Sequence, residues 1–163
     1  MPKFTYLFRL TAISALIFAM PAMAQEYVHG NGALEIFDGE GLSNSPTWVK
    51  VWVFIMLATF ASGLLFIWKR AEARLAVGGF LLGMGALSVL TGPLGLLPFS
   101  GLIAAVHIVF WSPALIVLLS RRTFLKERSL YGFWTGLMTV VILFSFVFDI
   151  RDAFIYFRHI AGI

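Results

Sequence analysis

His107, Trp111 and Pro113 fall within one long uncharged run, and of all residues in this chain they are best placed to do chemistry. Between Arg74 and Arg121 lie 46 residues without one Asp, Glu, Lys or Arg. At about 1.5 Å per helical residue, that run is roughly twice a ~30 Å hydrocarbon core, so it must hold two membrane passes. His107 belongs to the second pass, about 8–9 Å from its start, and is the only titratable residue well inside any hydrophobic span. Trp111 follows one helical turn later on the same face. Pro113 withholds a backbone donor, which frees the carbonyl of Val109 and predicts a kink. A polar residue beside a kink inside a membrane span is a candidate functional site by default. Partners at compatible depth are Ser145 and Asp149 on a later span and Ser88 and Thr91 on an earlier one. A His107–Asp149 pair would relay protons or hold a cation, imidazole being the side chain that titrates near neutral pH. The structural alternative is a neutral His107 bonded to one hydroxyl or carbonyl, tying helices together.

The elements that must position these residues are four apolar helices. Of the 163 residues 60% are hydrophobic and 12% charged, where a soluble domain carries about a quarter charged. So little polar surface calls for a lipid bilayer as the main partner. The spans are expected at residues 47–68, 75–91, 102–120 and 130–148. The expected fold class is all-α: a polytopic membrane protein with four transmembrane helices in an up-down bundle, plus a C-terminal interfacial helix. Ser45-Pro46 starts the first span as N-cap and first helical residue, and Trp48, Trp52 and Trp68 suit interfacial aromatic belts. Ahead of it, residues 1–24 read as a signal peptide: Lys3 and Arg9, an apolar core, and Ala22-Met23-Ala24 as the cleavage site. Residues 25–46, rich in glycine and bearing Glu26, Glu35, Asp38 and Glu40, read as a flexible periplasmic segment. In the tail, 149–163, Ile150, Phe154, Phe157 and Ala161 recur at helical spacing, an amphipathic stripe suited to the outer interface or to a continuation of span four.

Charge gives the orientation. The loops after spans one and three carry seven basic residues (Lys69, Arg70, Arg74, Arg121, Arg122, Lys126, Arg128), whereas the opposite side of the mature chain carries Lys50, Arg151 and Arg158. The positive-inside rule places both basic loops in the cytoplasm of a bacterial cell and both mature termini in the periplasm. The signal peptide demands the same outside start. A net charge of +4 is therefore explained by topology, and nucleic acid is not an expected partner.

Other chemistries find little support. The chain has no cysteine, which excludes disulfides, thiolate metal sites and thiol nucleophiles. His29 with Glu26, Asp38 and Glu40 matches no metal-ligand spacing, and Asp38-Gly39-Glu40-Gly41 lacks the alternating oxygens of a calcium loop. Haem needs two axial ligands at matching depth; His107 stands alone within the spans, with Met56, Met84 and Met138 the remaining candidates. No catalytic constellation stands out, so no enzyme and no cofactor is expected. Gly79 and Gly83 open span two and Gly132 and Gly136 open span four. This is a weak internal echo, whose glycines four apart would let helix backbones approach inside the bundle.

Glu72-Ala73-Arg74 before a Gly-rich span, a Gly/Pro turn, then His107-Ile108-Val109-Phe110-Trp111-Ser112-Pro113 and a span ending in Asp149 together resemble small uncharacterised four-helix inner-membrane proteins of bacteria. The resemblance covers spans one to four and implies no activity. The leading expectation is a non-enzymatic role as an accessory, assembly or interaction subunit, associating with other membrane proteins or with itself. Competing with it is a small oligomeric transporter or proton-coupled channel using His107 with Asp149, and more remotely a haem-binding membrane protein. The discriminating feature is whether a cavity reaches His107.

Overall fold

A computed structural model describes residues 27–163; the signal sequence expected over 1–24 lies outside them. All its regular elements are helices: α1 Gly39–Asn44, α2 Thr47–Ser62, α3 Ala71–Thr91, α4 Ser100–Arg121, α5 Thr123–Lys126 and α6 Leu130–Ile160. A 3₁₀ turn, Gly63–Leu65, extends α2. Four helices are long and apolar enough to cross a membrane, namely α2 with its 3₁₀ turn, α3, α4 with α5, and α6. Such a set makes a multi-pass membrane protein. Most of each helix surface is left for lipid, as a small bundle in hydrocarbon requires.

The α4–α6 contact is the most extensive, followed by α3–α4, while α2 makes far less contact with the rest. The core is aromatic. Phe60, Trp111, Trp134 and Tyr131 are buried with Ala73, Ala76, Ala114, Leu118, Met138 and Ile142. Trp134 is fixed by its indole N–H, which donates to the carbonyl of Thr59 at 3.0 Å and so ties α6 to α2. Hydrocarbon offers no water to polar groups, and the hydroxyls of the spans answer to that. Thr59, Ser62, Thr135 and Thr139 each donate to a carbonyl of their own helix. Helix α4 continues unbroken through Pro113.

The two glycine pairs serve different neighbours. A side chain at Gly79 would strike the carbonyl oxygen of Phe110, and Gly83 faces Val106 and Phe110, so this pair seats α3 on α4. Gly132 faces Glu127 and Gly136 faces Phe124, so the second pair accommodates α5 and its loop, not another span. The echo between the spans does not extend to their packing.

Two features differ from the sequence expectation. Of the two forms expected for the tail, it takes the continuation of span four and not the separate interfacial helix: α6 runs 31 residues, about 46 Å, without a break at Asp149. Ile150, Phe154 and Phe157 of its apolar stripe are exposed, while Ala153 and Tyr156 are buried. No glycine or proline interrupts the helix there, and Gly101 of α4 lets Tyr156 and the Asp152 carbonyl come close. Residues 27–45, expected to be flexible, fold against the α3–α4 connection. The carbonyls of Ala33 and Glu35 accept from the amides of Gly101 and Ser100, and Pro98 accepts from Phe37. They satisfy the first amides of α4, whose N-cap, Phe99, has no side-chain oxygen to offer. Tyr27, Leu34 and Ile36 pack on Phe99, Leu102 and Tyr156 beneath.

At the other end the basic loops are knitted together. Glu72, 4% exposed in the first turn of α3, accepts from Thr123 Oγ1 at 3.2 Å and lies 3.3 Å from Arg121 Nη1. Arg70 makes two hydrogen bonds to Glu127, at 2.9 and 3.0 Å, with its guanidinium 4.3 Å over the Tyr131 ring. Arg122 takes a left-handed conformation at φ 51 to turn the chain from α4 into α5.

The glycine contacts yield a stability test. Gly79→Ala will lower the thermal stability of detergent-solubilised protein by about 1–3 kcal/mol, because the new methyl meets backbone and not a yielding side chain. Gly78→Ala, where a methyl meets open space, will leave stability unchanged or raise it by up to about 1 kcal/mol.

Candidate functional site

Helix α4 presents Ser100, Ala104, His107 and Trp111 on one face, at spacings of four, three and four. Helix α6 presents Ser145, Asp149 and Asp152 at four and three. Where these faces oppose each other, His107 Nδ1 lies 3.3 Å from Asp149 Oδ2, both side chains largely buried. The imidazole stacks on the Trp111 indole, centroids 3.9 Å apart and planes 15° from parallel. Trp111 thus fixes the ring's plane while Asp149 fixes its edge. Of the expected partners the structure selects Asp149. Ser88 and Thr91 instead donate to carbonyls of their own helix.

His107 is not sealed in. It borders a cavity of about 390 Å³ between α2, α3, α4 and α6. Among the described residues, the polar lining comprises Asn31, Ser100, His107, Ser145, Asp149 and Asp152, with no Lys or Arg. The walls are apolar and aromatic, with Trp48 and Trp52 from α2, Phe80 from α3 and Phe148 from α6; Phe37 belongs to the N-terminal segment. The cavity lies beside α2, which makes far less contact with α3, α4 and α6 than α4 makes with α3 and α6. Ala104, the small residue between Ser100 and His107, adds room. Toward the basic end it is stopped by rings: Phe60 packs on both Trp111 and Phe80 at centroid distances of 4.9 Å.

Polar saturation fails here and almost nowhere else. Among the described residues, four buried side-chain polar atoms lack a hydrogen-bond partner. Three of them, Ser100 Oγ, Ser145 Oγ and Asp152 Oδ1, belong to residues lining this cavity. Tyr131 is the fourth, at the basic end. Asp152 Oδ1 is 3.5 Å from Arg151 Nη1, an ion pair without hydrogen-bond geometry, and Arg151 itself points outward, 74% exposed. Buried groups of this kind are costly unless something meets them. They mark the cavity as a place where a polar partner fits.

The sequence singled out His107, Trp111, Asp149 and Ser145; the structure brings His107, Asp149 and Ser145 to one cavity, with Trp111 buried against His107 outside its lining. Pro113 and the four glycines lie outside it, and Met56 and Met84 line it while Met138 is buried in the core. The missed residues are Asp152, Ser100 and the aromatic walls. For Asp152 the signal was present, because Asp149 and Asp152 three apart on a helix share a face. Trp48 and Trp52 read as an interfacial belt; standing one turn apart, they also wall the cavity. Nothing in the sequence signalled Asn31 or Phe37.

His29, considered above as a metal ligand, forms an ion pair: Nδ1 is 3.1 Å from Asp38 Oδ1 and 4.0 Å from Glu40 Oε2. Asp38 also accepts from the amide of Gly41 at 2.9 Å, as N-cap of α1. The hydrogen bond to Asp38 raises the pKa of His29 above its ordinary 6.5. The Gly41 amide, helped by His29, holds Asp38 below 3.8.

Set against known proteins, the chain matches no family model, no curated protein and no solved structure.

The exposed His29–Asp38 pair sets a pH window for the N-terminal segment. A raised histidine pKa contributes stability that is full below 6.5 and lost as pH rises through the folded value. A lowered aspartate pKa contributes stability present above 3.8 and lost as pH falls through the folded value. The pair therefore holds the segment best between about 3.8 and 6.5 and weakens on the alkaline side. An NMR titration of the His29 ring will give a midpoint above 6.5, and Asp38→Asn will bring it back toward that value.

Proposed function

We propose that the protein is a small inner-membrane carrier that binds a ligand from the periplasmic side and couples its binding to protonation of the His107–Asp149 pair. In this reading the four spans run up and down, and the signal peptide is removed. The basic loops face the cytoplasm, so the cavity opens at the periplasmic end where both mature termini lie. The observation that carries the proposal is the cavity of about 390 Å³ that reaches His107. A histidine that only tied helices together would be packed dry against one neighbour.

The geometry supports an occluding device over an open pore. A continuous conduit needs polar groups through the midplane. The hydroxyls found there are engaged with their own helices, and the Phe60–Phe80–Trp111 stack closes the route. Passage to the cytoplasm would then require α2, the least tightly held of the four long helices, to move relative to α3, α4 and α6. The reading as an accessory or assembly subunit remains the rival. It predicts that the cavity residues are dispensable and that function follows an outer surface.

The test uses the full mature chain in proteoliposomes carrying an internal pH indicator, with a panel of small aromatic cations, anions and neutral compounds. At least one compound will move protons with the wild type, and His107→Ala or Asp149→Asn will reduce that response at least tenfold, while Thr139→Val will not. If no compound in the panel gives a response distinguishing wild type from His107→Ala, the carrier reading is wrong. An unchanged set of co-purifying proteins in that variant separates loss of transport from loss of assembly.

A further inference from the structure

We infer that the ligand of this cavity is a small organic cation with an aromatic or branched apolar body. The inference rests on the carrier reading above and specifies its substrate class.

Charge is the first argument. The lining carries two carboxylates, Asp149 and Asp152, and its one basic side chain is His107. No titratable residue lines it from α2 or α3. The nearest guanidinium, Arg151, pairs with Asp152 at 3.5 Å from the solvent side, 74% exposed and outside the lining, so Asp149 has no counter-charge but His107; Lys50 donates to the carbonyl of Ser43, also beyond the lining. With His107 neutral, Asp149 leaves an anionic charge inside a low-dielectric wall, and a cation relieves it. An anion placed there would face both carboxylates.

The walls are the second argument. Trp48, Trp52, Phe80 and Phe148 surround the carboxylates, and the faces of such rings attract quaternary or protonated amines. Strongly hydrated inorganic cations need several oxygen ligands in place of water. These apolar walls suit a weakly hydrated organic ion instead. Third, the orphan atoms point to a ligand with polar contacts besides its charge. Ser145 is 6% exposed, and its hydroxyl lacks a partner one turn from Asp149. Ser100 Oγ and Asp152 Oδ1 are unpartnered in the same cavity. A carboxylate pair alone would say little. A carboxylate pair inside an aromatic cavity with three unmet polar atoms describes an organic cation.

The same geometry states the coupling. When the His107–Asp149 pair carries a proton, the site already holds one positive charge. A monovalent organic cation entering beside Asp149 takes that charge's place, and the proton leaves His107 for the periplasmic water. The exchange is one for one, and charge balances.

Benzyltrimethylammonium and its uncharged carbon isostere, neopentylbenzene, are matched probes, read through tryptophan fluorescence of the detergent-solubilised full chain. The cation is expected to quench Trp48 and Trp52, with the change lost in a Trp48→Phe/Trp52→Phe variant. Its affinity should exceed that of the isostere at least tenfold. Asp152→Asn, at the cavity's outer margin, should cut that preference several-fold even if Asp149→Asn fails to fold. In unbuffered solution, binding should release up to one proton per cation, and none from His107→Ala. Equal binding of both probes would overturn the cation assignment and leave the carrier reading standing. If neither probe changes the fluorescence, and the compound panel likewise gives no response, both fall together.

Discussion

A carboxylate placed among apolar helices must find a partner, and the arrangement of this protein follows from how Asp149 finds one. Uncompensated burial of that charge would cost several kcal/mol, more than a small bundle can carry. His107 answers it from α4, and Trp111 holds the imidazole from the other side. For the pair to meet, α4 and α6 must lie close at that level. Gly101 provides the approach by leaving room for Tyr156 and the Asp152 carbonyl. The most extensive helix contact in the molecule is therefore also the one that carries its titratable groups. Helices α2 and α3 then add the aromatic walls.

The molecule is polar at its two ends and saturated between them. At the basic end Glu72, Thr123, Arg121, Arg70 and Glu127 bond to one another, so their polarity is used up in holding loops. At the acidic end the groups are left partly unmatched, with Ser100, Ser145 and Asp152 unbonded beside the His107–Asp149 pair. Between them the hydroxyls serve their own helices and the rings of Phe60, Phe80 and Trp111 close the interior. The contrast between the ends distinguishes structural polarity from a site. Both ends contain acids and bases around some open volume, but three of the four unpartnered buried polar atoms among the described residues lie at the acidic end, and only the Tyr131 hydroxyl at the basic end.

Much of this was legible in the sequence. The four apolar helices came from uninterrupted hydropathy, and His107 stood out because lipid tolerates so few titratable groups. Asp149 was nameable as its partner because depth in a membrane can be counted from helix ends. What escaped depends on facts that hydropathy does not encode. The Ile150–Phe154–Phe157 stripe was legible as a surface for the membrane interface, but the opposite, packing face was not. Here those residues are exposed and the polar–aromatic face is the one that packs. The cavity itself arises where α2 meets its neighbours sparsely, a property of tertiary packing that no local pattern carries. The fold of residues 27–45 was invisible for a related reason: it is built from main-chain carbonyls meeting main-chain amides.

That last feature has an evolutionary meaning. A cap made by the carbonyls of Ala33 and Glu35 on the amides of Ser100 and Gly101 is indifferent to which side chains the acceptor residues carry. The acceptor positions Ala33 and Glu35 can drift in sequence while the join persists, whereas the donor Gly101 cannot, because a Cβ there would meet Tyr156 and the carbonyls of Asp152 and Ala33. The length of the acceptor stretch is also constrained. One residue added or removed between Ala33 and Phe37 would shift the register of every bond in the join and pull Phe37 away from the mouth of the cavity.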